Sequence, residues 1–192
     1  CRERNIRIRS DEIYHGLSYG EPARSMLEFE PDAYVVNSFS QYFSMVGWRL
    51  GWLLTPQADV HQARAYMGNL FLTSPSLSQH AALAAMDSTA ELDGHVEVYR
   101  RNRSLLLDAL PSLGIGSIAP PDGAFYVYAD ISPWTDDSVA FCAELLQATG
   151  VAITPGVDFD PARGRGFVRF SYAADTAQIA EAVQRLEGFV RR

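Results

Sequence analysis

Lysine is missing altogether: all 16 basic residues of the 192-residue chain are arginines. That absence excludes any chemistry needing a side-chain primary amine. Cysteine is scarce as well. Cys1 and Cys142 lie far apart, which excludes a disulfide framework and a cysteine metal pair and leads to the expectation of a reducing cytoplasm. No apolar run approaches the ~20 residues that cross a bilayer, and Cys1-Arg2-Glu3-Arg4 is charged where a secretory leader is apolar. Neither secretion nor membrane insertion is expected. Positive charge is in deficit, with 16 basic against 23 acidic groups and a net charge of -7, so the broad basic field that binds nucleic acid is absent. The sequence also has no internal repeat and no low-complexity segment.

At 47% hydrophobic and 20% charged, the composition is that of a soluble globular protein, long enough for one full domain or parts of two. Ile6–Ser10, Tyr34–Ser38 and Trp48–Leu54 read as strands, and the glycines and proline between the first two read as a loop. Helices are predicted over 57–72, 76–88, 91–110, 137–148 and 175–190, with Ser76 and Ser78 as candidate N-caps of the second. Pro120-Pro121-Asp122-Gly123 is a turn leading into the strand Ala124–Asp130, and Val151–Ile153 and 167–172 read as further strands. Strands that alternate with helices and then mix more freely predict an α/β region followed by a small α+β domain.

Ligands of open parallel sheets bind beyond the carboxyl ends of the strands. Two strand ends carry polar groups there: Asp11 and Tyr14 after the first, and Ser38, Ser40 and Gln41 after the second, followed by Arg49 between Gly47 and Gly51. Singly, these read as a strand-end cap, a half-buried aromatic, turn hydroxyls and a surface arginine. Together, an acid, a phenol, two hydroxyls and an arginine suit a planar phosphorylated cofactor. Arg169, in an apolar strand, reads on its own as the partner of an internal acid.

The segments Ser10–Tyr14 and Asn37–Trp52 resemble the cofactor signatures of class I/II aminotransferases, which are fold type I pyridoxal-phosphate enzymes. The resemblance continues through Gly123–Tyr126 and Thr154–Gly156 to Phe167–Ser171. It implies that Asp11 keeps the pyridine nitrogen protonated, that Tyr14 bonds the ring 3-oxygen, and that Ser38, Ser40 and Arg49 hold the phosphate. Arg169 is then the clamp for the substrate α-carboxylate. The implied substrates are an amino acid and a 2-oxo acid, and the implied assembly is a homodimer. Trp48, Trp52, Phe125 and Tyr126 are assigned mainly to packing, and His15 to a rim or hydrogen-bonding role in preference to a catalytic base.

Gln41 stands where the family pattern has the lysine that forms the Schiff base. An amide nitrogen has no free lone pair to attack an aldehyde and no pKa suited to moving a proton. Three explanations remain open: a changed residue in an ordinary transaminase, a natural relative that binds cofactor without turnover, or a fold running different chemistry, as in relatives that use the amine form of the cofactor with His at this position, a case that Gln fits poorly because it is no base. A lyase or synthase of the same fold is a further alternative for the function. The resemblance also implies that about half of the family chain precedes the position of Cys1. Residues 1–104 are expected to be the C-terminal part of the large, mostly parallel-sheet PLP domain, and 105–192 the small C-terminal domain.

Overall fold

The first two predicted strands become β1 (Arg9–Asp11) and β2 (Tyr34–Ser38) in the computed structural model, which describes residues 1–191. They pair in parallel with Asp11 opposite Val36, and β3 (Gly51–Leu54) joins β2 antiparallel with Ser38 opposite Gly51. β1 begins later than its isoleucines suggest. Ile6 is 55% exposed, and the pairing starts where Tyr34 N–H donates to the Ile8 carbonyl. Trp48, expected to begin the third strand, falls instead in one turn of 3-10 helix over Val46–Trp48, and Arg49, expected within that strand, follows it in a left-handed conformation at φ 52°.

Helices α1 (Val60–Phe71), α2 (Ser76–Met86) and α3 (Thr89–Ser112) follow. Neither serine caps α2: Pro75 occupies the cap position, and the buried Ser78 hydroxyl donates to the Trp48 carbonyl at 2.8 Å. The chain then divides into two compact units, Cys1–Gly94 and His95–Arg192, with the division inside α3. In the first unit, Phe39, Met45 and Ala82 form a core cluster joined by Phe43, Leu50 and Trp52. The ring centroid of Phe39 lies 4.7 Å from Phe43 and 5.0 Å from Trp52. This packing folds the segment after β2 back over the sheet.

In the second unit β4 (Tyr126–Asp130), β6 (Phe167–Ser171) and the short β5 (Thr154–Pro155) form an antiparallel sheet in the order β4-β6-β5. The period of two in a strand separates its faces. Val127, Ala129, Val168 and Phe170 are buried in the core, while Tyr126, Tyr128 and Arg169 lie on the other face. Val151–Ile153, expected as a strand, joins no ladder among the described residues. α4 (Ser138–Thr149) is capped by Asp137, which accepts from the Val139 and Ala140 amides, and it ends on Gly150 at φ 73°, a left-handed position suited to glycine. α5 (Thr176–Val190) is capped by Asp175 and buries Ile179 and Leu186.

Candidate active site

The parallel pairing of β1 and β2 brings Asp11 and Ser38 to the same carboxyl edge of one sheet, since Asp11 is opposite Val36 and Ser38 lies two residues further along. Asp11 is exposed, and one of its carboxylate oxygens accepts from the Ile13 amide at 3.2 Å, which fixes the turn that leads to Tyr14. Its neighbour points the other way. Glu12 is buried at 5% exposure and accepts from the Met26 amide at 2.8 Å and the Ser25 hydroxyl at 3.1 Å. His15 Nδ1 lies 3.3 Å from the second Glu12 oxygen. Glu12 therefore ties the loop over 12–28 to the end of β1, a role visible only once strand alternation is known to turn it inward.

Ser38 and Ser40 meet directly. The Ser38 hydroxyl lies 2.8 Å from that of Ser40 and accepts the Ser40 amide at 2.9 Å, while the Asn37 side chain accepts the Ser38 amide at 2.7 Å. β3 can come this close because residue 51 is glycine: a Cβ there would sit 2.7 Å from the Asn37 carbonyl oxygen. Gln41 follows in the turn, half-buried, with its backbone carbonyl accepting from the Ser44 amide at 3.0 Å. Arg49 is exposed, and one guanidinium nitrogen donates to the Val46 carbonyl at 2.8 Å, leaving its other donors for a ligand.

Tyr42, which the sequence does not mark, anchors this turn. Its hydroxyl donates to the Asp93 carboxylate at 2.8 Å, and its ring lies against Gly16, so it joins the turn after Tyr14 to the turn at Gln41. Burial, reinforced by Asp93, pushes the Tyr42 phenol up to about 12.

In the second unit, Arg169 pairs with no internal acid among the described residues, unlike what its place in an apolar strand suggests. Its guanidinium lies 4.1 Å from the Tyr126 ring centroid and 4.3 Å from that of Phe159, and its buried Nε has no hydrogen-bond partner among the described residues. Tyr126 thus does more than pack. Asn102 is a further buried polar residue, set in the apolar stripe of α3, whose side-chain amide donates to the Tyr172 and Ala174 carbonyls at 3.0 and 2.8 Å. A polar residue within a helical apolar stripe is the signal that could have marked it.

The sequence profile of the family Aminotransferase class I and II matches residues 1–186. The chain belongs to this family. It is similar to the valine–pyruvate aminotransferase of Mycobacterium tuberculosis, at 52% identity over 97% of this chain and 49% of that protein. The crystal structure of an aminotransferase from the same organism superposes with a TM-score of 0.95 at 50% identity, covering 100% of this chain and 50% of the other. The aspartate aminotransferase of Thermus thermophilus, solved with maleate, gives 0.88 at 33% identity over 97% and 49% of the two chains. The chain thus spans about half the length of the family members it matches. The α/β fold followed by a second, antiparallel three-stranded sheet is that of fold type I aminotransferases.

Proposed function

We propose that this chain carries the phosphate cradle and carboxylate clamp of a pyridoxal-phosphate-dependent aminotransferase, and that Gln41 deprives it of the amine that attaches the cofactor and moves the proton. The observation that carries this reading is the set at one sheet edge: Asp11 ending β1, and the bonded hydroxyls of Ser38 and Ser40 ending its parallel neighbour β2. An exposed carboxylate suits a protonated pyridine nitrogen. Two hydroxyls and an arginine with spare donors suit a phosphate. When bound, pyridoxal phosphate supplies a ring that accepts electron density from the substrate Cα. Asp11 would hold the ring nitrogen charged, Tyr14 would bond the 3-oxygen, and Ser38, Ser40 and Arg49 would fix the phosphate.

Arg169 would orient an amino acid or a 2-oxo acid by its carboxylate. Support comes from the unbonded, buried Nε of Arg169 among the described residues and from the Thermus thermophilus relative solved with a dicarboxylate, maleate. The first unit would be part of a large cofactor domain and the second a small domain. Exposed apolar side chains at the end of α1, Leu70, Phe71 and Leu72 at 54%, 61% and 88% exposure, support a homodimer. Among the described residues no helix is long and apolar enough to cross a membrane, and a cytoplasmic location is part of this proposal.

The test is gain of function. Protein expressed from the complete coding sequence should transfer no amino group as it stands, and Gln41→Lys should transfer one from L-valine or another common amino acid to a 2-oxo acid. Failure of Gln41→Lys with every common amino acid contradicts the proposal. Gln41 itself favours a second reading, a relative that binds cofactor without turnover, for which cofactor binding persists while Gln41→Lys stays silent.

A further inference from the structure

Arg169 is intercalated in a row of rings. On one side Tyr126 meets Phe125 at 4.7 Å, and Phe125 meets Tyr99 at 5.6 Å. On the other, Phe159 meets Tyr128 edge-on at 6.3 Å, and Tyr128 stacks on Phe167 at 5.2 Å. The guanidinium closes the gap between Tyr126 and Phe159. Phe159 is 46% exposed, so burial in the core does not explain where its ring lies. A half-buried cation ordinarily keeps a carboxylate beside it. Here no carboxylate pairs with Arg169 among the described residues, and the negative faces of two rings take that place.

From this geometry we infer that Tyr126 and Phe159 are positioning residues that fix the plane of the Arg169 guanidinium and leave only its two Nη groups open to an incoming carboxylate. The guanidinium carbon lies over both rings, 4.1 Å from the Tyr126 centroid and 4.3 Å from that of Phe159. Burial closes Nε, and neither Nη makes a hydrogen bond among the described residues. Two consequences follow. No internal acid competes for the cation, and a donor pair already held in one plane loses less freedom when a carboxylate binds. The inference rests on Arg169 being the carboxylate clamp of the proposed function.

The test uses nitrogen-15 NMR of the Arg169 Nε–Hε pair in protein expressed from the complete coding sequence, titrated with pyruvate, with L-valine and with uncharged pyruvamide. Ring currents should shift this resonance upfield. Pyruvate and L-valine should move it saturably, and pyruvamide should not. Tyr126→Leu and Phe159→Leu should each relieve the upfield shift and weaken the pyruvate midpoint about 3- to 10-fold, while Tyr126→Phe keeps both. Backbone amide peaks of β4 and β6 report that the sheet is intact, and the exposed position of Phe159 makes its variant the safer of the two for folding. If pyruvate binds the leucine variants as tightly as the parent, the positioning role is wrong and the clamp stands. If the upfield shift is present but pyruvate moves the resonance in no form, the clamp itself is wrong and the positioning role falls with it. An unshifted resonance in the parent overturns the ring sandwich directly.

Discussion

Replacing Gly16 with alanine should destabilise the chain by about 3 kcal/mol, because two penalties fall on one atom. Gly16 has φ +91°, and a Cβ there would lie 2.6 Å from Cδ2 and 2.8 Å from Cγ of Tyr42. The left-handed backbone alone costs an alanine roughly 1 kcal/mol. The ring cannot swing away freely, since its hydroxyl is bonded to Asp93 at 2.8 Å and its edge packs on Phe43 at 5.2 Å. Displacing it adds about 1–3 kcal/mol. With a urea dependence of about 2 kcal/mol per molar, the unfolding midpoint should fall by roughly 1.5 M. Gly20→Ala, where a Cβ meets nothing within 4 Å, serves as the control. Phenol absorbance gives a second readout. The Tyr42 phenol, held at about 12 by burial and then by Asp93, is favoured in its neutral form by the fold. Its stabilising contribution is therefore present below the unfolded value of about 10 and is lost as pH rises through the folded value. In Gly16→Ala the displaced ring should titrate closer to the ordinary range. A midpoint within about 0.3 M of the parent, with Tyr42 still titrating near 12, refutes this account of the turn.

Glu12→Ala removes the acceptor of the Met26 amide and the Ser25 hydroxyl and should cost about 3 kcal/mol in urea unfolding, with Glu12→Gln costing less and amide exchange at Met26 accelerating only in the alanine form. Arg49→Ala separates fold from function: the side chain is exposed and among the described residues bonds only the Val46 carbonyl, so stability should change by less than about 1 kcal/mol, while pyridoxal-phosphate binding by equilibrium dialysis weakens by about 10-fold or more.

The legible parts of the fold are those where one local pattern decides. Tyr34–Ser38 is a strand to the residue because its alternation meets a partner on each side. Val151–Ile153 has the same β-branched character but no neighbouring ladder, and the pairing falls instead on Thr154 and Pro155, since a strand is stabilised by its neighbours and not by propensity alone. Ser76 and Ser78 have the right chemistry for a cap, yet Pro75 takes that position and Ser78 turns to the Trp48 carbonyl. In the candidate site, residue types and order were readable at Asp11, Ser38, Ser40 and Arg49. The supporting set was not. Glu12, Tyr42 with Asp93, and the rings around Arg169 act across 14, 51 and 43 residues of sequence. Such distances are closed only by strand register and the packing of the turns.

Pyridoxal phosphate, titrated into protein expressed from the complete coding sequence and then reduced with borohydride, tests the central claim most directly. The account predicts saturable binding by both the parent and Gln41→Lys, with covalent label at residue 41 in the lysine form alone. Absence of binding in both forms, or label on the parent, contradicts it.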